Sequence, residues 1–272
     1  MTDTIFSTIL GLALAVAAVS AVAEDSEEFD CVIQPKEVVE LSSAVPGIIE
    51  SIDVDRSDTV LEGQVVATLK SGVEQALVEL ADQRAGFTGE IESKRTSLEF
   101  ANRKQQRTRQ LYSKKAVPFH VLDEAQTDAL LAAAELRQAQ QNQHLAGLEL
   151  KRAQETLELR TVRTPISGVV VERLQSPGEY VENKPILRIA QLNPLRIEVI
   201  LPVSMFGEIS TGMAAEITPE LKTKRKYVGS VTIVDRVIDA ASGTFGVRLE
   251  LPNPGNYIPG GLRCKLHFKR SS

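Results

Sequence analysis

Tryptophan is absent from this chain of 272 residues, and aromatic residues make up only 4% of it. Large cores draw much of their buried area from aromatic rings, so a small core of Val, Ile and Leu fits better than one large one. A basic excess is missing too. Lys and Arg number 31 against 36 Asp and Glu, a formal net charge of −5, which leaves no electrostatic footprint for nucleic acid. Histidine is scarce: His120, His144 and His267 are scattered, and none lies near a Cys/His cluster with metal spacing. The two interior methionines, Met205 and Met213, form no Met-rich cluster of the copper-handling kind. No phosphate-cradling Gly-rich loop with Lys occurs, Gly260-Gly261 after Pro259 reads as a turn, and the carboxylates are spread over turns and helix faces. The expectation is a chain with no catalytic residues, no cofactor and no metal.

Long apolar runs are also few. There is one, Ile5 to Val22, followed by Ala21-Val22-Ala23 and the acidic Glu24-Asp25-Ser26-Glu27-Glu28. The Ala-x-Ala pattern reads as a secretory signal cut between Ala23 and Glu24, although Met1-Thr2-Asp3-Thr4 lacks the usual Lys or Arg. About 18 apolar residues also just span a bilayer, so an uncleaved anchor is the other reading. Either way the remainder is exported. With no second span the chain is not itself a channel or carrier. Glu28-Phe29-Asp30 before Cys31 is too polar for a lipid-attachment site. Only two cysteines exist, Cys31 and Cys264, near the two ends of the mature chain. An even count in an oxidising compartment favours a disulfide over two separate thiols. It would tie the first strand to the last.

One strand pattern is present twice. The first copy runs from Ser43-Ala44-Val45-Pro46-Gly47-Ile48-Ile49-Glu50 to Asp58-Thr59-Val60-Leu61-Glu62-Gly63-Gln64-Val65-Val66. The second runs from Thr164-Pro165-Ile166-Ser167-Gly168-Val169-Val170-Val171 to Glu179-Tyr180-Val181-Glu182-Asn183-Lys184-Pro185-Ile186-Leu187. Aligning Gly47 with Gly168 places Val60 on Val181 and Val65-Val66 on Ile186-Leu187 without a gap. The reading is one small β domain cut open by an insertion.

The insertion reads as helix. From Val73 to Tyr112, Leu77, Leu80, Phe87, Ile91, Leu98, Ala101 and Tyr112 follow a 3-4 spacing interrupted by Arg84, Lys94, Gln105 and Thr108. Gly86 and Gly89 each weaken this helix by about 1 kcal/mol relative to Ala. After a break at 113–118, Leu122, Ala125, Ala129, Ala132, Leu136, Ala139, Gln143, Ala146, Leu150, Ala153 and Leu157 keep a strict seam. Two helices of about 38 residues, joined by a short turn, make an antiparallel hairpin roughly 55 Å long. Such an arm in a small secreted protein is costly to order, and its usual use is to reach a partner. Strand patterns return at Arg196–Leu201, Gly229–Asp235, Gly246–Leu251 and Leu262–Phe268, spaced as in a small barrel. Val203 to Glu208 reads as a short helix behind Pro202.

The split repeat resembles the lipoyl/biotinyl carrier fold. Val73, however, falls where the carrier lysine would stand, and Lys70 lies outside a carrier motif. The mature chain as a whole resembles periplasmic adaptors of the membrane fusion protein (HlyD-like) family, most similar to those of tripartite RND-type efflux pumps. Three stretches carry the likeness: the repeat itself; Leu159-Arg160-Thr161-Val162-Arg163-Thr164-Pro165-Ile166-Ser167-Gly168; and the series from Gly229-Ser230-Val231 through Val237–Arg248 to Asn253-Pro254 and Ile258-Pro259-Gly260-Gly261.

The resemblance implies a mainly β fold with an inserted α-helical coiled-coil hairpin: a split lipoyl-like barrel-sandwich hybrid plus a small antiparallel β-barrel. Its implied domains are a signal peptide or anchor over 1–23, a hybrid domain over 38–72 and 161–192, a hairpin over 73–160 and a barrel over 193–269. It implies a non-catalytic subunit in the periplasm, at the inner membrane, linking an inner-membrane transporter to an outer-membrane channel. The alternative is an adaptor of an ABC or type I secretion-like exporter that keeps an uncleaved anchor. It also implies self-association into a ring, a hexamer, and docking of the hairpin tip on the channel. Family members that dock this way carry R-x3-L-x6-S at the tip. Arg107 and Leu111 match, and Pro118 stands at the Ser position.

Overall fold

The computed structural model of the protein describes residues 27–223 and 225–269. The apolar run Ile5–Val22 and the cleavage pair Ala23 and Glu24 lie outside the described residues. The strands in chain order are β1 (Phe29–Ser42), β2 (Gly47–Ile52), β3 (Thr59–Val60), β4 (Val65–Leu69), β5 (Thr161–Arg163), β6 (Gly168–Arg173), β7 (Tyr180–Val181), β8 (Pro185–Pro202), β9 (Ala214–Pro219), β10 (Tyr227–Val234), β11 (Thr244–Leu251) and β12 (Leu262–Phe268). The α-helices α1 (Gly72–Gly86), α2 (Gly89–Ser113) and α3 (Phe119–Glu158) all fall between β4 and β5. The ladders run in the order β1, β12, β9, β10, β11, β8, and β1 also pairs with β8, which closes six strands into a barrel. A second sheet has the order β5, β4, β2, β7. This is the fold class expected: mainly β, a barrel-sandwich hybrid and a barrel, with a helical hairpin inserted.

The described chain divides into two compact units, one of residues Ile33–Ile197 and Glu250–Leu262, the other of 27–32, Glu198–Leu249 and 263–269. In the first unit the two copies of the repeat interlock reciprocally. Gly47 of the first copy lies opposite Val181 of the second, and Val60 of the first lies opposite Gly168 of the second. Both valines are buried, and they share one core with Ile49, Val66, Leu69, Val170, Ile186, Leu187 and Ile189. Neither copy closes this core alone. The aliphatic core is the outcome of having so few aromatic rings.

The arm differs from its expected form in one respect. Its first strand of helix is not continuous: α1 ends at Gly86 and α2 begins at Gly89, with Phe87 extended at φ −76° and ψ 105°. Two glycines so close lower the helical preference where it is needed. The break also shifts the phase. Leu77, Leu80, Phe87 and Tyr112, expected in the seam, are exposed, while Ala81, Ala101 and Thr108 are buried and Val78, Ala85, Ile91, Lys94, Leu98 and Gln105 are half-buried. Thus three of the supposed interruptions, Lys94, Gln105 and Thr108, belong to the inner face. On α3 every expected seam position is buried or half-buried. The polar one, Gln143, donates its amide to the carbonyl of Ala85, 3.5 Å away, in the last turn before the break, where helix carbonyls lack partners.

In the second unit β9 pairs with both β10 and β12, all antiparallel. The sequence reading did not identify β9, whose alternation Ala-Ala-Glu-Ile-Thr-Pro is short and closed by proline. The expected helix at 203–208 is reduced to one 3-10 turn, Val203–Met205. Cys31 and Cys264 are disulfide-bonded, which joins β1 to its neighbour β12. Beside them, Lys265 and Asp30 form an ion pair 2.6 Å long.

A candidate partner-docking site at the arm tip

The geometry of the arm follows from its seam. Ala125, Ala129, Ala132 and Ala139 of α3 are buried, and such small side chains let two helix backbones approach closely. Ala101, Ala129 and Ala132 form a small cluster with Leu98 beside it. Ion pairs bridge the helices: Lys94 to Glu135 at 2.9 Å and Lys104 to Asp128 at 2.8 Å. The hydrogen bond from Lys104 to Asp128, and their opposite charges, raise the lysine above its ordinary pKa. With 40 residues in α3, the arm reaches about 60 Å at 1.5 Å per residue.

The tip is the turn between α2 and α3. The N–H of Lys115 bonds the carbonyl of Tyr112, and that of Ala116 bonds the carbonyl of Leu111. Lys115 takes a left-handed conformation, φ 55°. Pro118 sits at the N-cap of α3 with φ −75° and ψ 163°. Its carbonyl accepts the N–H of Val121. The missing N–H of a proline costs no helix hydrogen bond here, because the first amides of a helix have no partners in it. Pro118 provides no side-chain cap for α3, where a serine could accept an amide, and it exposes an apolar ring.

Arg107, Leu111 and Pro118 are all exposed. Arg107 and Leu111 are four apart on α2 and so share one face of it, whereas Thr108 turns inward and bonds the carbonyl of Lys104. Two features of the tip were missed in the sequence. The first is an exposed aromatic pair, Tyr112 and Phe119, with ring centroids 6.0 Å apart in an edge-on arrangement. Its signal was the placing of two of the rare aromatics on either side of one turn. The second is charge. Between Glu99 and Asp123 there is no carboxylate, while Arg103, Lys104, Arg107, Arg109, Lys114 and Lys115 all fall there. The far end of an acidic protein is basic.

Elsewhere, Lys70 is exposed at the end of β4, and Val73 is exposed in the first turn of α1. Among the described residues no three His, Cys, Asp or Glu are grouped as metal ligands, and no helix is long and apolar enough to cross a membrane.

Comparison with known proteins places this architecture. Residues 37–191 match the family model described as the CzcB-like barrel-sandwich hybrid domain. The pyoverdine export membrane fusion protein PvdR of Pseudomonas aeruginosa is 30% identical over 215 residues, 73% of this chain and 52% of that protein. The nodulation protein NolF of Rhizobium meliloti is 25% identical over 223 residues, 82% of this chain and 57% of that one. The chain thus spans about half the length of the curated relatives it matches. Among solved structures, MacA from Actinobacillus actinomycetemcomitans shares the fold with a TM-score of 0.74 at 20% identity, over 89% of this chain and 78% of that one.

Proposed function

Because the chain belongs to the membrane fusion protein family, through its CzcB-like barrel-sandwich hybrid domain, we propose that it is a periplasmic adaptor that links an inner-membrane transporter to an outer-membrane channel. The observation that carries this reading is the arm. A helical hairpin about 60 Å long is inserted between the halves of a small β domain, at the point where a carrier fold would present its cofactor. Its far end bears the exposed Arg107, Leu111, Pro118, Tyr112 and Phe119.

The mechanism is mechanical and needs no chemical step. The transporter performs the energised transport, and the adaptor seals the conduit and couples transporter cycling to channel opening through its interfaces. The hybrid and barrel domains meet the transporter and, with further copies, close a ring; the tip docks on the channel. Ring closure follows the general rule for head-to-tail interfaces whose rotation closes, and six copies is the number the family likeness favours. At the tip the basic stretch calls for an acidic partner surface. Leu111, Pro118 and the aromatic pair supply apolar contact where a serine would have supplied a hydroxyl.

The transporter we propose is of the RND type. What supports this choice is the series from Gly229-Ser230-Val231 to Pro259-Gly260-Gly261, which resembles the barrel signature of RND-type adaptors. The domain limits follow: a hairpin over 73–160 within a hybrid domain over 38–72 and 161–192, then a barrel over 193–269, with 1–23 as the exporting segment. The test is affinity purification from cross-linked native membranes. The reading expects a large RND-type inner-membrane protein in the eluate. An ABC-type transporter would replace the partner and keep the adaptor, and recovery of no transporter would defeat both.

A further inference from the structure

The arm leaves and re-enters the β domain by two single passages of chain, at Lys70-Ser71 and at Leu159-Arg160. Free backbone dihedrals at such passages let a long lever swing. Two backbone bonds brace the joint: Leu69 N–H to Arg160 carbonyl at 2.8 Å, and Lys70 N–H to Ile48 carbonyl at 2.9 Å. Two arginines of the helix exit add to them. Arg163 bonds Glu158 at 3.0 Å and the carbonyl of Gly63 at 3.1 Å. Arg160 does more. Its Nη2 donates to Glu74 Oε1 at 2.6 Å, and its Nη1 donates to the carbonyl of Pro46 at 2.9 Å. One guanidinium thus ties the end of α3, the first turn of α1 and the residue before β2.

The two arginines differ in shelter. The side chains of Arg160 and Glu74 are 23% and 12% exposed, those of Arg163 and Glu158 48% and 60%. Exposed pairs contribute little, because water screens them, so the weight falls on Arg160. A planar fork holds two acceptors in fixed, different directions, whereas a lysine ammonium is a compact charge whose rotatable donors lack that preset geometry. The β domain leaves room for this fork. A Cβ on Gly47 would lie 2.7 Å from Nη1 of Arg160 and 3.2 Å from Cδ1 of Leu69. The glycine that opens β2 in the first copy of the repeat is therefore also the floor of the clamp.

We propose that Arg160, seated over Gly47 and gripping Glu74 and the Pro46 carbonyl, is the positioning residue that sets the direction of the arm on the split β domain. It acts through the joint and touches no partner. The claim concerns the joint alone, so it stands or falls independently of what the tip docks on.

The test is a distance distribution between two spin labels on the full chain. Cys31 and Cys264 are bonded to each other, so introduced cysteines take the labels. Glu50→Cys lies on β2, and Gln138→Cys lies on unbroken α3, about 30 Å from its root. Unlabelled chain is added in excess to suppress distances between copies. The wild type is expected to give one narrow distribution. Arg160→Ala and Glu74→Gln are each expected to widen it about twofold as the freed dihedrals rotate. Arg160→Lys is expected to recover part of the width and Arg163→Ala to leave it unchanged. Gly47→Ala, which displaces the guanidinium, should widen it as Arg160→Ala does and add nothing when the two are combined, as coupled sites behave. Helix content by circular dichroism stays at the wild-type level throughout. An unchanged width in Arg160→Ala overturns the proposal, and so does equal widening by Arg163→Ala. If Arg160→Ala fails to fold, Glu74→Gln and Gly47→Ala decide the question in its place: widening by both supports the clamp, and unchanged widths overturn it.

Discussion

Gly168 and Gly47 occupy equivalent places in the repeat and are glycine for different reasons. A Cβ on Gly168 would run into the carbonyl of Ala190, a backbone atom held in the β6–β8 ladder. A Cβ on Gly47 meets first the movable end of a side chain. Gly168→Ala should therefore cost about 1–3 kcal/mol, the range for overpacking a tight site, measured by urea unfolding, and Gly47→Ala distinctly less. Equal costs would contradict this account. Glu74 supplies a pH test. Its carboxyl is held below its ordinary 4.5, first by its own backbone N–H and then by the hydrogen bond and charge of Arg160, against the opposing effect of burial. Arg84, Arg152 and Glu149 line the same groove of about 320 Å³. A depressed carboxylate stabilises the fold above its unfolded pKa, and the gain is lost as pH falls through the folded value. The difference in urea midpoint between wild type and Glu74→Gln should be constant from neutral pH to 4.5 and shrink below it. A difference that persists in strong acid would remove Glu74 from the clamp.

At the scale of elements, the arm rests on small residues in its seam. Ala125 is fully buried, and Ala125→Leu should force α2 and α3 apart and lower stability by about 1–3 kcal/mol, read as an earlier loss of helix signal on heating. The α3 seam was legible in the sequence because Ala and Leu recur there with one polar exception, Gln143. The α1–α2 face was not. Its inner positions include Lys94, Gln105 and Thr108, which bury carbon stems or bond locally, while Leu77 and Leu80 stand outside. Apolar count alone put the face one residue out in α1, and the break at Phe87 reset it. Of the strands, those with clean alternation were readable, and β9, ending in proline beside a loop, was not. At the tip, Arg107 and Leu111 were found through the resemblance to adaptors that carry R-x3-L-x6-S, whereas the aromatic pair across the turn depends on the hairpin closing. The clamp could not be read at all, since Arg160, Glu74 and Pro46 meet only through the fold.

For the molecule as a whole, the repeat, the insertion and the basic tip belong to one design. Two half-patterns that pair reciprocally make a β domain with both ends of the insertion at one place, and the insertion becomes an arm rooted there. The arm has value only if its tip meets something. A photo-cross-linking amino acid at position 111, in cells that carry the native partners, examines this directly, with the same group at position 50 on β2 as the comparison. The account predicts an adduct with an outer-membrane channel from position 111 and none from position 50, and a weaker adduct when Arg107→Glu is added. No adduct at position 111, or the same adducts from both positions, would contradict it.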